Sequence, residues 1–262
     1  MVTIATWNVN SIKPRLEHLT NWLRESGTDI VLLQETKTVD DAFPAMEIED
    51  AGYNILIHGQ KTYNGVAILS KHPLELERKG LPGEPEDEQA RYIEAIVSLP
   101  ENKAIRVASV YVPNGQSPDS DKFQYKMRFF NRLRTHAKSV LAYDEPLVIG
   151  GDYNVGPDSL SVYDPARLDG TVCYHPEERR QFRGLENLGL YDAFRLKEPN
   201  KAGFSWWDYR GGMYQKGQGY RIDHLLLNGS ATDALQDCWV DESPRRLEKP
   251  SDHTPVVAKL AV

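Results

Sequence analysis

Short β-rich runs recur along the chain, and most of them stop at a polar or acidic residue. Six come first, at 2–8, 30–34, 53–58, 65–70, 92–99 and 105–112, and five follow at 147–151, 204–207, 221–228, 235–241 and 254–260. Their Val, Ile, Tyr and Trp content and turn-bounded ends favour strands. Helical spacing fills the gaps. Pro14 suits a first helical turn, Leu16, Leu19 and Leu23 share a face, and Gly27 supplies a stop. Phe123, Met127, Phe130, Ala137 and Leu141 mark a longer helix, and Phe182, Leu185 and Leu188 another. Two strand sets of similar number, each with helices to cover a face, predict two packed mixed sheets flanked by helices. That is a four-layer α/β sandwich, expected to form one domain over residues 1–262. Residues 155–175, with Pro157 and Pro165 and little periodicity, read either as a functional loop or as strands that periodicity does not reveal.

No stretch approaches the roughly 18 apolar residues that span a bilayer. The segment Met1-Val2-Thr3-Ile4-Ala5-Thr6-Trp7 lacks a basic region and a small-residue cleavage site, so a cytoplasmic protein is expected. Cys173 and Cys238 make neither a disulfide framework nor a zinc site and are expected to be reduced, partly buried thiols. The net charge of −7 counts against a nucleic-acid partner. Distribution offsets this. Residues 121–138 carry Lys122, Lys126, Arg128, Arg132, Arg134 and Lys138, a second basic group holds Arg179, Arg180 and Arg183, and acidic residues crowd into 84–88. On charge alone these groups serve equally well as solvated helix faces.

The polar residues at the strand ends form a set with chemistry. The first run ends on Asn8 with Asn10 just beyond, Glu35 follows the second, Asp152 and Asn154 follow the run at 147–151, and the run at 105–112 delivers Tyr111 with Asn114 just beyond. Asp223 interrupts the apolar run 222–227, and Asp252-His253 precedes the last strand. Each has a bland use, as a turn residue, a cap or a satisfied buried histidine. Together they match what phosphodiester hydrolysis needs: neutralised phosphoryl oxygens, an oriented water and help for the departing alkoxide. Glu35 with Asn10 and Asp252 offers hard oxygens suited to Mg²⁺. His253 offers a donor to phosphate with Asp223 fixing its tautomer, and Asp152 beside Asn154 is the candidate to orient or deprotonate water.

The ordered segments Thr6-Trp7-Asn8-Val9-Asn10, Leu33-Gln34-Glu35-Thr36-Lys37, Tyr111-Val112-Pro113-Asn114, Gly150-Gly151-Asp152-Tyr153-Asn154-Val155, Arg221-Ile222-Asp223 and Ser251-Asp252-His253 resemble the motifs of exonuclease III and the abasic-site endonucleases, within the endonuclease/exonuclease/phosphatase superfamily. Ser-Asp-His occurs across the superfamily, including inositol phosphatases, sphingomyelinases and pancreatic deoxyribonuclease. Its combination with Gln34-Glu35-Thr36-Lys37 and Phe204-Ser205-Trp206-Trp207-Asp208-Tyr209-Arg210 is much more specific to the exonuclease III branch. The resemblance implies the same four-layer sandwich and a Mg²⁺-dependent DNA repair nuclease, with Mn²⁺ able to substitute. Its expected partner is double-stranded DNA with abasic sites or 3′ ends, and the expected state is a monomer.

Glu35 is then the principal metal ligand, Asp152 the water-activating carboxylate and His253 with Asp223 the phosphate-binding pair. Asn8, counted also with the metal set, and Tyr111, Asn114 and Asn154 match positions that contact the scissile phosphate or order the site. The resemblance leaves open one metal or two, and whether Asp152 or the histidine pair generates the nucleophile. Trp206, Tyr220 and Ile222 match an abasic-sugar pocket, where a compact nucleotide without its base fits and an intact one is excluded. Arg91, Lys126 and Arg128 complete the expected substrate-binding set. Asn10 stands where animal abasic endonucleases carry aspartate, which implies a weaker, mainly outer-sphere role. The Tyr-Val-Pro-Asn segment leans towards the abasic-endonuclease branch. The alternatives are a phosphoinositide or lipid phosphodiesterase of the same superfamily and a non-catalytic RNA-binding relative. Retention of Glu35, Asp152, Asp223 and His253 argues against the second.

Overall fold

The computed structural model describes residues 1–262. The first sheet runs, in spatial order, β11 (Leu235–Val240), β12 (Val256–Leu260), β1 (Val2–Asn8), β2 (Ile30–Gln34), β4 (Val66–Ser70) and β3 (Asn54–His58). The second runs β5 (Leu74–Lys79), β6 (Tyr92–Leu99), β7 (Lys103–Tyr111), β8 (Leu147–Asp152), β10 (Asp223–Leu227) and β9 (Tyr191–Asp192). Only β1 with β2 and β7 with β8 pair in parallel, so both sheets are mixed. Ile4, Leu32, Ile68 and Val256 of one sheet and Ile93, Val107, Val148 and Leu225 of the other share one buried cluster between the sheets.

Helices close the outer faces. Trp22 and Leu23 of α1 (Leu16–Ser26) and Ile48 of α2 (Ala45–Glu49) pack with Trp7 and Leu33 on the first sheet. Phe129, Phe130 and Leu133 of α3 (Asp121–Leu141) and Phe182 of α5 (Pro176–Glu186) cover Ile149 and Leu226 of the second. The four-layer sandwich expected from periodicity is therefore the fold. Gly27 ends α1 in the left-handed conformation at φ 61°, as the stop signal predicts, whereas Pro14 lies in a separate 3₁₀ turn, Lys13–Arg15. Leu188 falls beyond α5. No helix is long and apolar enough to cross a membrane. Both cysteines are buried and unbonded.

Three sequence expectations need correction. The sequence-ordered strand sets do not map onto sheets: β11 and β12 return to flank β1, while β6 and β7 join the second sheet. β5 and β9 escape periodicity because β5 is an edge strand with Glu75, Leu76, Glu77, Arg78 and Lys79 exposed, and β9 has only two residues. The expected strand at 204–207 is reduced to bridges from Trp206 to Tyr220 and His253. Residues 155–175 form a loop with one 3₁₀ turn, Ser159–Ser161, and one short helix, α4 (Pro165–Leu168).

A buried polar network sits beneath α3. Glu94 on β6 accepts from Arg106 Nη1 at 2.6 Å and Tyr92 Oη at 2.7 Å and lies 2.6 Å from His136 Nε2. Burial works against the carboxylate, but His136, Tyr92 and Arg106 outweigh it and hold its pKa at about 2. A depressed carboxylate stabilises the fold above its unfolded value of about 4.3, and that contribution is lost as pH falls from there towards its folded value. The melting temperature of the parent should therefore fall steeply across that acid window, and Glu94→Gln, less stable at neutral pH, should have a flatter acid limb. Superposable acid limbs would assign the acid sensitivity to other carboxylates.

Candidate active site

Topology alone brings the polar strand ends to one rim. In the second sheet Asp152 of β8 is in register with Tyr111 of β7 and with Asp223 of β10. In the first, Asn8 of β1 is in register with Gln34 of β2, and Glu35 follows directly. Close approach at β8 requires Gly151: a Cβ there would collide with the Val110 carbonyl oxygen. Glu35, Asn10 and Asn154 leave their strands with left-handed backbones, at φ 51°, 44° and 51°. Such conformations cost of order 1–3 kcal/mol outside glycine and persist where surrounding contacts enforce them.

The side chains meet across the two sheets. Asn8 Nδ2 donates to Glu35 Oε1 at 2.8 Å and to Asp152 Oδ2 at 2.9 Å, so one amide bridges carboxylates from different sheets. Asp223 Oδ2 lies 2.9 Å from His253 Nδ1, and His253 Nε2 is 3.7 Å from Asp152 Oδ2. Burial opposes the imidazolium, yet the Asp223 and Asp152 carboxylates raise its pKa well above the usual histidine value. Asp152 is 1% exposed; burial raises its pKa, opposed by the His253 cation and assisted by Asp223 and Glu35. At Glu35 burial raises, but Lys37 and Asn8 prevail and the pKa is lowered. Burial and the Glu35 and Asp152 charges raise the Tyr111 phenol well above its usual range. Asn154 donates its backbone N–H to Asp152 Oδ1 at 2.8 Å and accepts at Oδ1 from Asn114 Nδ2 at 2.9 Å.

Ligand atoms of Glu35, Asp152 and His253 lie within 4.8 Å of one another. Two carboxylates converging from two rigid sheets fit a hard divalent cation, which takes one or two protein carboxylates and keeps waters. Asn10 and Asp252, also expected among the ligands, are engaged with each other and with Lys37 and Trp206. Asn10 Oδ1 accepts from Lys37 Nζ at 2.6 Å while its Nδ2 donates to Asp252 Oδ1 at 2.9 Å, and the other Asp252 oxygen accepts from Trp206 Nε1 at 3.0 Å. Asn8 turns its amide N–H groups to the carboxylates, and its oxygen accepts from the Asn10 backbone at 3.0 Å. Asn8 therefore bridges the two carboxylates.

The aromatic residues expected at a sugar pocket do come together: Trp206 and Tyr220 meet edge-on at 5.2 Å, and Tyr220 and Ile222 pack with Val162 and Cys173 from the 155–175 loop. Arg91 stacks over Tyr111 at 4.6 Å, and both line a cavity of about 360 Å³ with Asn114, Lys122 and Tyr125. The basic helix needs correction. Lys126 is fully buried, with its ammonium on Glu178 and on the Asn114 and Asn154 carbonyl oxygens, so it cannot reach a backbone phosphate. Arg132 is buried against Asp87, and Arg128, though exposed, pairs with Glu84 at 3.4 Å: the acidic run lies on this helix.

Sequence reasoning gave no role to Lys37, Ser205 or Ser251. Lys37 Nζ is 2.8 Å from Glu35 Oε2. Ser205 Oγ donates to Asp223 Oδ2 at 2.6 Å, and Ser251 Oγ donates to the Asn8 carbonyl at 2.7 Å while accepting from the His253 N–H at 3.2 Å. All three lie inside the sequence motifs themselves, so proximity to Glu35, Trp206 and His253 was the available signal.

The chain as a whole is similar to several known proteins. Exodeoxyribonuclease III of Haemophilus influenzae is 34% identical over 97% of this chain and 98% of its own length. A 3′ phosphatase from Neisseria, solved with a product DNA hairpin, superposes with TM-score 0.96 at 40% identity, covering 100% of both chains. An AP endonuclease from Archaeoglobus fulgidus gives TM-score 0.94 at 37% identity, again over 100% of both. The profile of the Endonuclease/Exonuclease/phosphatase family matches residues 5–253, from β1 through the histidine that faces Asp152 and Asp223, and with fold, site and profile in agreement the chain belongs to that family.

Proposed function

We propose that this protein is a Mg²⁺-dependent DNA repair nuclease that cuts phosphodiesters 5′ to abasic sites and removes nucleotides or blocking groups from 3′ ends. The observation that carries the reading is the Asn8 bridge between Glu35 and Asp152, which holds two carboxylates from separate sheets beside the Asp223–His253 pair. Glu35, with Asp152 beside it, would hold the cation, which supplies charge neutralisation on the phosphoryl oxygens. His253, kept protonated by Asp223 and Asp152, donates from Nε2 to a phosphoryl oxygen. Asp152 orients the attacking water, and its raised pKa suits it to take the proton. Tyr111, kept protonated, donates to the same charged region, and Asn114 and Asn154 fix the opposite edge. Trp206, Tyr220 and Ile222 receive the flipped sugar. Lys122 and Arg91, at the rim of the adjoining cavity, suit the backbone of a duplex.

The test is cleavage of a duplex carrying one abasic site, with Mg²⁺ and then with chelator, alongside a phosphoinositide headgroup. Incision of the duplex alone, abolished by chelator, supports the reading, and hydrolysis of the headgroup instead would replace it with the lipid alternative. Glu35→Ala should lower Mg²⁺ affinity and turnover, with partial recovery at high metal. Unchanged Mg²⁺ dependence in that variant would remove Glu35 from the ligands.

A further inference from the structure

We propose that Asp252 is a positioning residue that fixes the Trp206 indole as a wall of the sugar pocket, and so sets the preference for a nucleotide lacking its base. This rests on the pocket reading above. Trp206 is half-buried, and its backbone is tied to Tyr220 by a hydrogen bond in each direction, both at 2.9 Å. The main chain is thereby anchored, but the indole, only half-buried, is not held in one rotamer by the backbone alone. Its Nε1 bond to Asp252 Oδ2 at 3.0 Å selects one orientation.

Asp252 is in turn locked from the other side. Asn10 Nδ2 donates to Oδ1 at 2.9 Å, and the Asn10 amide cannot turn over because its Oδ1 accepts from Lys37 Nζ at 2.6 Å. Two fixed N–H donors therefore face position 252, one per oxygen, and only a carboxylate accepts both. An amide there would set one of its own N–H groups against the Asn10 or Trp206 donor. The Asp252 carboxylate lies outside the Glu35, Asp152 and His253 group, and each of its oxygens already accepts from a side-chain N–H.

The experiment compares the parent, Asp252→Asn, Trp206→Phe and the double variant on matched duplexes with and without one abasic site. Alongside, the melting temperature of each is titrated with Mg²⁺ alone. Loss of a hydrogen bond to a charged group predicts that Asp252→Asn lowers the abasic-to-intact ratio of kcat/KM by about tenfold, mainly through KM on the lesion duplex. The Mg²⁺ midpoint of thermal stabilisation should stay within about twofold of the parent. Phenylalanine has no N–H, so adding Asp252→Asn to Trp206→Phe should change the ratio by less than about twofold. The proposal is overturned by an unchanged ratio with a shifted Mg²⁺ midpoint, which would make Asp252 a metal holder. An undiminished tenfold loss in the Trp206→Phe background would equally overturn it. A parent with no abasic preference would sink the pocket reading itself, visibly and before any variant is compared, and the proposal with it.

Discussion

Asp152→Asn is expected to reduce turnover on an abasic duplex by at least about 100-fold while leaving duplex binding intact, as for loss of a positioned base. Shape is conserved and charge is removed. Both Asp152 oxygens accept in the parent, Oδ2 from Asn8 Nδ2 at 2.9 Å and Oδ1 from the Asn154 N–H at 2.8 Å, so the amide must leave one donor poorly met. That cost is offset by relief of repulsion from Asp223 and Glu35, the charges that help burial raise the Asp152 pKa. Binding should hold or tighten, since a negative charge beside the phosphate is gone. The competing base is His253. Its raised pKa keeps it protonated at neutral pH, which makes it a donor to phosphate and a poor acceptor of a proton from water. Single-turnover rates and binding isotherms on the same duplex decide between them. Activity within about a factor of two of the parent would move the base to the Asp223–His253 pair.

The strand ends are legible because the apolar runs that fill the space between the sheets stop at polar or acidic residues. Glu35, Asp152 and Asp223 each sit at such a boundary, and the register of β7, β8 and β10 then places Tyr111, Asp152 and Asp223 side by side. What pairs with what was not legible. Asn10 and Asp252 look like oxygen ligands by residue type, yet Lys37 and Trp206 engage them, and those contacts join residues far apart in sequence. Sheet membership was equally hidden, since β12 reaches β1 across almost the whole chain and no local pattern records that pairing. The charge along 121–138 is a poor guide for a different reason: helical phase turns part of it inward. Lys126 stands three residues after Phe123 and four before Phe130, and Arg132 stands three after Phe129, so both fall on the stripe that packs inward.

Lys126→Ala is therefore expected to act on stability and not on electrostatic attraction to DNA. The Lys126 ammonium is 0% exposed and donates to the Glu178 carboxylate, to the Asn114 carbonyl at 3.1 Å and to the Asn154 carbonyl at 2.8 Å. Glu178 is itself 0% exposed and also accepts from the His175 N–H at 2.9 Å, closing the capping box at the start of α5. Removing one partner of such a pair strands the other charge, which costs about 3–5 kcal/mol. For a chain of this size that corresponds to a fall in melting temperature on the order of 10 °C. Turnover should fall too, because the backbones carrying Asn114 and Asn154 lose their common anchor. Lys126→Met combined with Glu178→Met removes both charges at once and should recover much of the stability, since a buried pair is often replaceable by packed apolar side chains. Lys122 and Arg128 are exposed on the same helix and make the contrast. If they meet DNA phosphates, alanine there flattens the log-log salt dependence of binding by about one unit for each phosphate no longer neutralised, with little change in melting temperature. A flattened salt slope for Lys126→Ala at an unaltered melting temperature would mean that the Lys126 ammonium leaves Glu178 to reach the phosphate, and the assignment of Lys126 to the fold would have to be withdrawn.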